Sequence, residues 1–83
     1  MRLINYSRTA LKALRAIPVK MAARIIEKVE QYAADPASQS NNLKKLQGRD
    51  GYRLRVGNYR VIFDETGSVI EVLDIGIRGN IYE

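Results

Sequence analysis

Three arginines lie close together in a stretch where apolar and charged residues alternate on both sides of a tight turn. Residues 52–63 read YRLRVGNYRVIF, and Gly57-Asn58 is typical of a two-residue hairpin turn. Such a turn predicts that Arg55 lies directly opposite Arg60 and that Arg53 lies opposite Ile62. Strand alternation then places all three arginines on one face, and Tyr52, Leu54, Val56, Tyr59, Val61 and Phe63 on the face toward the core.

Like charges directly opposite each other on a sheet are destabilising by up to about 1 kcal/mol. An anion bound between the arginines would turn this destabilising interaction into a stabilising one. A solvated sheet face, with long arginine stems over apolar surface and charged ends in water, explains the same pattern equally well. The hairpin alone leaves both interpretations open.

Further basic residues lie before the hairpin and on the first helix. Lys44, Lys45 and Arg49 surround two leucines in a predicted polar loop, where Lys44 is interpreted as a surface residue and Lys45 and Arg49 as candidate contacts to backbone phosphates. A stripe of Arg8, Lys12 and Arg15 follows helical spacing and is typical of a solvated face or of a contact with an acidic partner.

The C-terminal residues contain another arginine and a tyrosine. Arg78 lies between Gly76 and Gly79, and Tyr82 follows four residues later. The flexible glycines would let Arg78 and Tyr82 return to the edge of the arginine face. A half-buried ring with a hydrated hydroxyl is the simpler explanation for Tyr82 taken alone.

Composition excludes several kinds of chemistry. The 83 residues contain neither Cys nor His, which excludes disulfides, thiol nucleophiles, zinc sites of the usual Cys/His kind and imidazole acid–base catalysis. We therefore expect no metal site and no cofactor. A net charge of +5 favours polyanionic partners, either nucleic acid or an acidic protein. Apolar runs are too short to span a membrane, and no signal peptide is evident, so a cytoplasmic protein is expected.

The length allows one domain, residues 1–83. A first strand is predicted at 2–6, followed by an αα-hairpin with helices at 8–17 and 18–34, in which Ser7 caps the first helix and Pro18 begins the second. Residues 35–42 indicate a surface loop, and strands are predicted near 52–56, 59–63 and 69–75. The predicted class is α+β in the order β-α-α-β-β-β, with the helical hairpin packed on an antiparallel sheet.

This element order and four stretches together resemble the RelE/ParE superfamily of bacterial toxins from type II toxin–antitoxin systems. The stretches are 43–48 (LKKLQG), 51–63 (GYRLRVGNYRVIF), 72–76 (VLDIG) and 78–82 (RGNIY). The resemblance covers nearly the whole chain. It favours the RelE branch and implies a fold similar to that of microbial ribonucleases.

In that branch the resemblance implies a ribosome-dependent mRNA endonuclease that inhibits translation. The RNA 2′-hydroxyl is the nucleophile, no metal takes part, and basic residues with a tyrosine replace histidine and glutamate. Matched position by position, the implied catalytic residues are Arg53, Arg55, Arg60, Arg78 and Tyr82. The implied RNA-binding residues are Lys45, Arg49, Arg53 and Arg55.

Physical roles follow from where charge develops. Guanidinium groups are suited to the phosphorane oxygens, so Arg60 and Arg78 are the candidates for stabilising them. Tyr82 could stack on the base or help to accept the 2′-hydroxyl proton, and stacking is preferred because a phenol is a weak base unless nearby cations lower its pKa. Arg53 and Arg55 replace lysines that are frequent in the family, and an arginine cannot accept a proton, so the general base is not identified. Residue 77 is Ile, where a basic residue often precedes the arginine.

Two other functions compete with the nuclease. One is inhibition of DNA gyrase by protein–protein contact, as in the ParE branch. The other is a basic nucleic-acid-binding module without catalysis. The absence of an aromatic residue among the arginines of the sheet argues against it, because such modules stack bases on aromatic side chains. The partners implied by the nuclease interpretation are a cognate acidic antitoxin, the ribosome and mRNA, with no membrane and no small-molecule cofactor.

Overall fold

The computed structural model describes residues 2–48 and 50–77. Within them the chain forms five strands, two α-helices and one 3₁₀ helix. In chain order these are β1 (Leu3–Tyr6), α1 (Arg8–Ala16), α2 (Val19–Ala34), the 3₁₀ helix (Pro36–Asn42), β2 (Leu43–Lys45), β3 (Tyr52–Val56), β4 (Tyr59–Thr66) and β5 (Val69–Ile77). The expected α+β class and its β-α-α-β-β-β order are confirmed, with β2 as an additional edge strand.

The sheet has the order β1-β5-β4-β3-β2 and is mixed. Strands β2 to β5 are antiparallel to their neighbours, as expected, but β1 runs parallel to β5 with Leu3 opposite Val69. The prediction of a wholly antiparallel sheet was wrong on this point. Alternation identifies β1 as a strand, whereas its neighbour and direction depend on pairing with a segment more than sixty residues away.

Two local signals position the helices. The Ser7 hydroxyl accepts a hydrogen bond from the backbone N–H of Ala10 (3.0 Å) and donates one to the carbonyl of Leu73 (2.7 Å). Leu73 is the extra residue of a bulge in β5, because Ile62 pairs with Asp74 and Phe63 pairs with Val72. The cap therefore starts α1 and ties it to β5.

Both helices cover the same face of the sheet. Leu54 and Val61, expected in the core, are 1% and 0% exposed. Phe63 packs between Tyr32 of α2 and Tyr52 of β3, with ring centroids 5.0 and 5.5 Å away. The opposite face, which neither α-helix covers and which we call the uncovered face, leaves room for a functional surface.

None of the helices in the described residues is long and apolar enough to cross a membrane.

Candidate nucleic-acid interface

The uncovered sheet face contains a cleft of about 240 Å³, which we call the basic cleft. Its lining residues come from β2, β3, the start of β4 and the end of the 3₁₀ helix. They are Asn41, Asn42, Lys44, Arg53, Arg55 and Arg60. No described lining residue is acidic.

The hairpin register brings the arginines together as expected. Arg55 is paired directly with Arg60, and Arg53 with Ile62. Gly57 supplies the positive φ, +60°, that the two-residue turn requires. All three arginines line the cleft, with Arg53 and Arg60 half-buried and Arg55 exposed.

Lys44 is the charged residue of this cleft that sequence reasoning missed. It pairs with Arg53 across β2 and β3, which places both side chains on the same face. Residues 43–45 do not alternate in polarity, and they form a strand only by adding to the edge of β3. The family-like LKKLQG stretch was the available signal, but it did not show which lysine faces the arginines.

Lys45 lies on the other side of the same strand, opposite Tyr52 and away from the basic cleft. It is exposed, so its predicted contact with RNA would have to form outside the cleft. Arg49, Arg78 and Tyr82, the other predicted site residues, lie outside the described residues.

Asn41 and Asn42 were also missed, because residues 35–42 were interpreted as a loop. The 3₁₀ helix brings both amides to the rim of the basic cleft. The Nη2 of Arg55 donates a hydrogen bond to the Oδ1 of Asn42 at 3.5 Å, which orients the guanidinium along the rim. Asparagine and arginine side chains are common donors to phosphate oxygens.

The remainder of the uncovered face has the opposite charge. Asp64 pairs with Glu71, and Asp74 pairs with Ile62. Ile62, 1% exposed, separates the acidic residues from Arg53 and Arg60. An anion near this face is therefore attracted to the β2–β3 side and repelled from the β5 side.

The basic cleft can bind and orient a phosphate group, but its described residues offer little acid–base chemistry. Arginine does not release its proton in proteins, so among the described lining side chains only Lys44 is of a type that can transfer one. Among residues 2–48 and 50–77, no group of three or more carboxylates is arranged to hold a metal ion.

Comparison with known families decides the class of protein. The model of the family described as "ParE toxin of type II toxin-antitoxin system, parDE" matches residues 4–82. The chain belongs to this toxin family. The resemblance to the RelE/ParE superfamily is thereby confirmed, and the toxin carries its basic cleft within the matched region.

Solved structures similar to the toxin include two archaeal complexes. The RelE–RelB complex from Pyrococcus horikoshii OT3 contains a chain 28% identical, with a TM-score of 0.78, and the match covers 96% of the toxin and 98% of that chain. The RelB–RelE antitoxin–toxin complex from Methanococcus jannaschii is also 28% identical, with a TM-score of 0.75 and 95% coverage of both chains.

The isolated E. coli RelE toxin is 19% identical, with a TM-score of 0.77 over 98% of the toxin and 88% of that chain. At this identity the match supports the fold alone. No curated protein matches the toxin in sequence.

Proposed function

We propose that this toxin is a ribosome-dependent mRNA endonuclease that inhibits translation. The observation that carries the proposal is the convergence of Lys44, Arg53, Arg55 and Arg60 in one cleft on the uncovered sheet face. Four cations lining one cleft suit a phosphodiester better than an apolar protein surface. The similarity to RelE chains at 28% identity supports the same choice.

The proposed reaction is attack by the RNA 2′-hydroxyl on the adjacent phosphorus. The new O2′–P bond forms while the P–O5′ bond breaks, which leaves a 2′,3′-cyclic phosphate and a free 5′-hydroxyl. A proton leaves O2′ and another reaches O5′. Negative charge grows on the two non-bridging oxygens, where the guanidinium groups of the basic cleft stabilise it.

Roles are assigned on this basis. Arg60, half-buried in the cleft, holds the phosphate in the transition state, while Arg53 and Arg55 bind the RNA backbone on either side. Arg78 is proposed to add a second contact to the phosphate and Tyr82 to stack on a base, both from the family resemblance. Lys44 adds positive charge beside Arg53.

Inhibition of DNA gyrase is the second candidate, and the ParE family match favours it specifically. Gyrase inhibition by protein contact would need no phosphate chemistry in the basic cleft. The two functions therefore make opposite predictions for substitutions that preserve the fold but remove one cleft arginine.

The test compares the wild-type toxin with Arg60→Gln and a control, Arg8→Gln on the outer side of α1. Each purified protein is incubated with ribosomes programmed with mRNA, and separately with gyrase and relaxed plasmid. The nuclease proposal predicts mRNA cuts by wild type and Arg8→Gln, almost none by Arg60→Gln, and no effect on supercoiling. Inhibition of supercoiling without cleavage would establish the gyrase function instead.

The proposed partner in the cell is an antitoxin with an acidic segment, in the cytoplasm where mRNA and ribosomes are found. The net charge of +5 and the antitoxin complexes of the RelE relatives support this partner. A disordered acidic segment that folds over the basic cleft would block access of RNA. Its affinity is expected to fall as salt rises, because part of the attraction is screened.

A further inference from the structure

A second cleft, which we call the helix cleft, lies next to the basic cleft. It has a volume of about 350 Å³ between α2 and the β3–β4 turn. Its lining residues are Arg24, Lys28, Asn42, Arg55, Val56, Gly57 and Asn58. No described lining residue is acidic, and three of the seven are cations.

The architecture holds the two helical cations in place. Arg24 and Lys28 are four residues apart and therefore lie on one side of α2. Met21, one turn earlier, lies close to the hairpin turn, because a Cβ built on Gly57 would be 3.7 Å from its Cε. The first half of α2 therefore lies beside the turn.

Neither helical cation forms an ion pair with a described residue. Lys28 is half-buried and donates a long hydrogen bond, 3.4 Å, to the neutral amide oxygen of Gln31. Arg24 is exposed and forms no ion pair with a described residue. Both charges are therefore available to an anion from solvent.

The helix cleft and the basic cleft are continuous. Arg55 and Asn42 line both of them, and the hydrogen bond between these two side chains spans the boundary. A strand bound in the basic cleft can therefore continue past Arg55 toward Arg24 and Lys28.

We propose that the helix cleft binds a backbone phosphate of single-stranded RNA, adjacent to the phosphate held in the basic cleft. The proposal rests on the RNA-directed function above and adds to it a contact outside the reaction centre. Arg24 and Lys28 serve as positioning residues that hold the strand in register, and they take no part in bond cleavage.

The lining favours RNA over an acidic peptide. Docked peptides take most of their affinity from apolar or aromatic anchors in pockets. Val56, the apolar side chain among the described lining residues, is 2% exposed and offers no such pocket. Charged and amide side chains without apolar anchors are typical of contacts to phosphate.

The test uses a matched pair of double variants. Arg24→Gln/Lys28→Gln removes two charges from the helix cleft, and Arg8→Gln/Lys12→Gln removes an arginine and a lysine at the same spacing from α1. Glutamine retains helix propensity and a polar side chain while it removes the charge. Thermal melts followed by circular dichroism verify folding, and fluorescence anisotropy measures binding of a short single-stranded oligoribonucleotide over a range of salt concentrations.

Each lost phosphate contact lowers the slope of log affinity against log salt by about 0.7. The α2 variant is expected to lose about 0.7 in slope and on the order of fivefold in affinity near 0.1 M salt. The α1 variant is expected to retain the wild-type slope. A selective loss in the α2 variant supports the proposal, even if the wild-type toxin then fails to cut mRNA and the nuclease function is abandoned.

Three outcomes would overturn the proposal. An α2 variant with the wild-type slope shows that no phosphate binds there, whatever the cleavage assay reports. Equal losses in both variants show that only the overall charge matters. Unchanged RNA binding with weaker binding of an acidic antitoxin peptide shows that the helix cleft belongs to the antitoxin.

Discussion

Arg55 of β3 and Arg60 of β4 form a directly opposed pair on neighbouring antiparallel strands. A pair of like charges at this position opposes folding, and the turn at Gly57-Asn58 gives the strands no alternative register. The fold therefore holds the two arginines together despite their repulsion, and a bound anion would relieve that repulsion and stabilise the toxin.

The first prediction concerns the stability of the unbound toxin. Arg55→Thr removes the repulsion and introduces a residue suited to strands, so the free energy of unfolding is expected to rise by a few tenths to about 1 kcal/mol. The gain should shrink as salt rises, because the repulsion is screened. Urea denaturation at two ionic strengths measures both effects. A loss of stability at low salt would mean that the hydrogen bond to Asn42 outweighs the repulsion.

The second prediction concerns catalysis. Removing one preorganised donor to a developing oxyanion costs about 3–4 kcal/mol, or 10²–10³ in rate. Arg60→Ala is therefore expected to relieve growth arrest and to slow mRNA cleavage by that factor on purified ribosomes, while its melting curve remains cooperative. A fully toxic and folded Arg60→Ala protein would argue against the nuclease and for the gyrase function.

The family resemblance extends this expectation to Arg78→Ala, which should relieve toxicity to a similar degree. Arg8→Ala, on a helix that does not line the basic cleft, is the control and should remain toxic. Equal attenuation by Arg8→Ala would indicate that net charge, rather than a phosphate site, determines toxicity.

The third prediction separates two roles of Lys44. If Lys44 supplies only positive charge beside Arg53, Lys44→Arg retains most of the cleavage rate and Lys44→Gln loses about tenfold, as expected for one exposed cation contacting a phosphate. We expect this result. If Lys44→Arg is as defective as Lys44→Gln, the side chain instead transfers a proton, because arginine keeps the charge and cannot accept one.

The hairpin was predictable because its determinants are local. Two residues define the turn, the turn defines the register, and alternation then assigns each arginine to a face. The pairs Arg55–Arg60, Leu54–Val61 and Arg53–Ile62 were all confirmed.

Features that depend on distant segments were not predictable in the same way. The direction of β1 depends on its pairing with β5, and β2 exists because β3 offers an open edge to three residues that do not alternate. The inclusion of Lys44 and Asn42 in the basic cleft follows from that edge strand and from the 3₁₀ helix before it. The helix cleft likewise requires α2 to lie beside the turn, and helical spacing shows only that Arg24 and Lys28 share a face.

The last prediction compares two tyrosines on the helical side of the sheet, Tyr32 and Tyr6. The Tyr32 hydroxyl donates a hydrogen bond of 2.6 Å to the Oε1 of Glu65, whose other oxygen forms an ion pair with Arg2. The Tyr6 hydroxyl is also buried but has no hydrogen-bond partner among the described residues. Tyr32→Phe is expected to lower the free energy of unfolding by about 1.5 kcal/mol, whereas Tyr6→Phe should leave it unchanged or slightly higher. Chemical denaturation near neutral pH tests this difference, and equal losses in the two variants would contradict it.

The hydroxyl of Tyr32 should also make the stability of the toxin depend on pH in the alkaline range. Burial, followed by the hydrogen bond to Glu65, raises the pKa of Tyr32 above its usual value near 10. Above about pH 10 the unfolded chain releases this proton while the folded toxin retains it, so the folded state binds more protons and stability falls as pH rises. Tyr32→Phe has no such proton to retain. The stability gap between wild type and Tyr32→Phe should therefore narrow above pH 10, and a gap that widens there would show that Tyr32 ionises more readily in the folded toxin than in the unfolded chain.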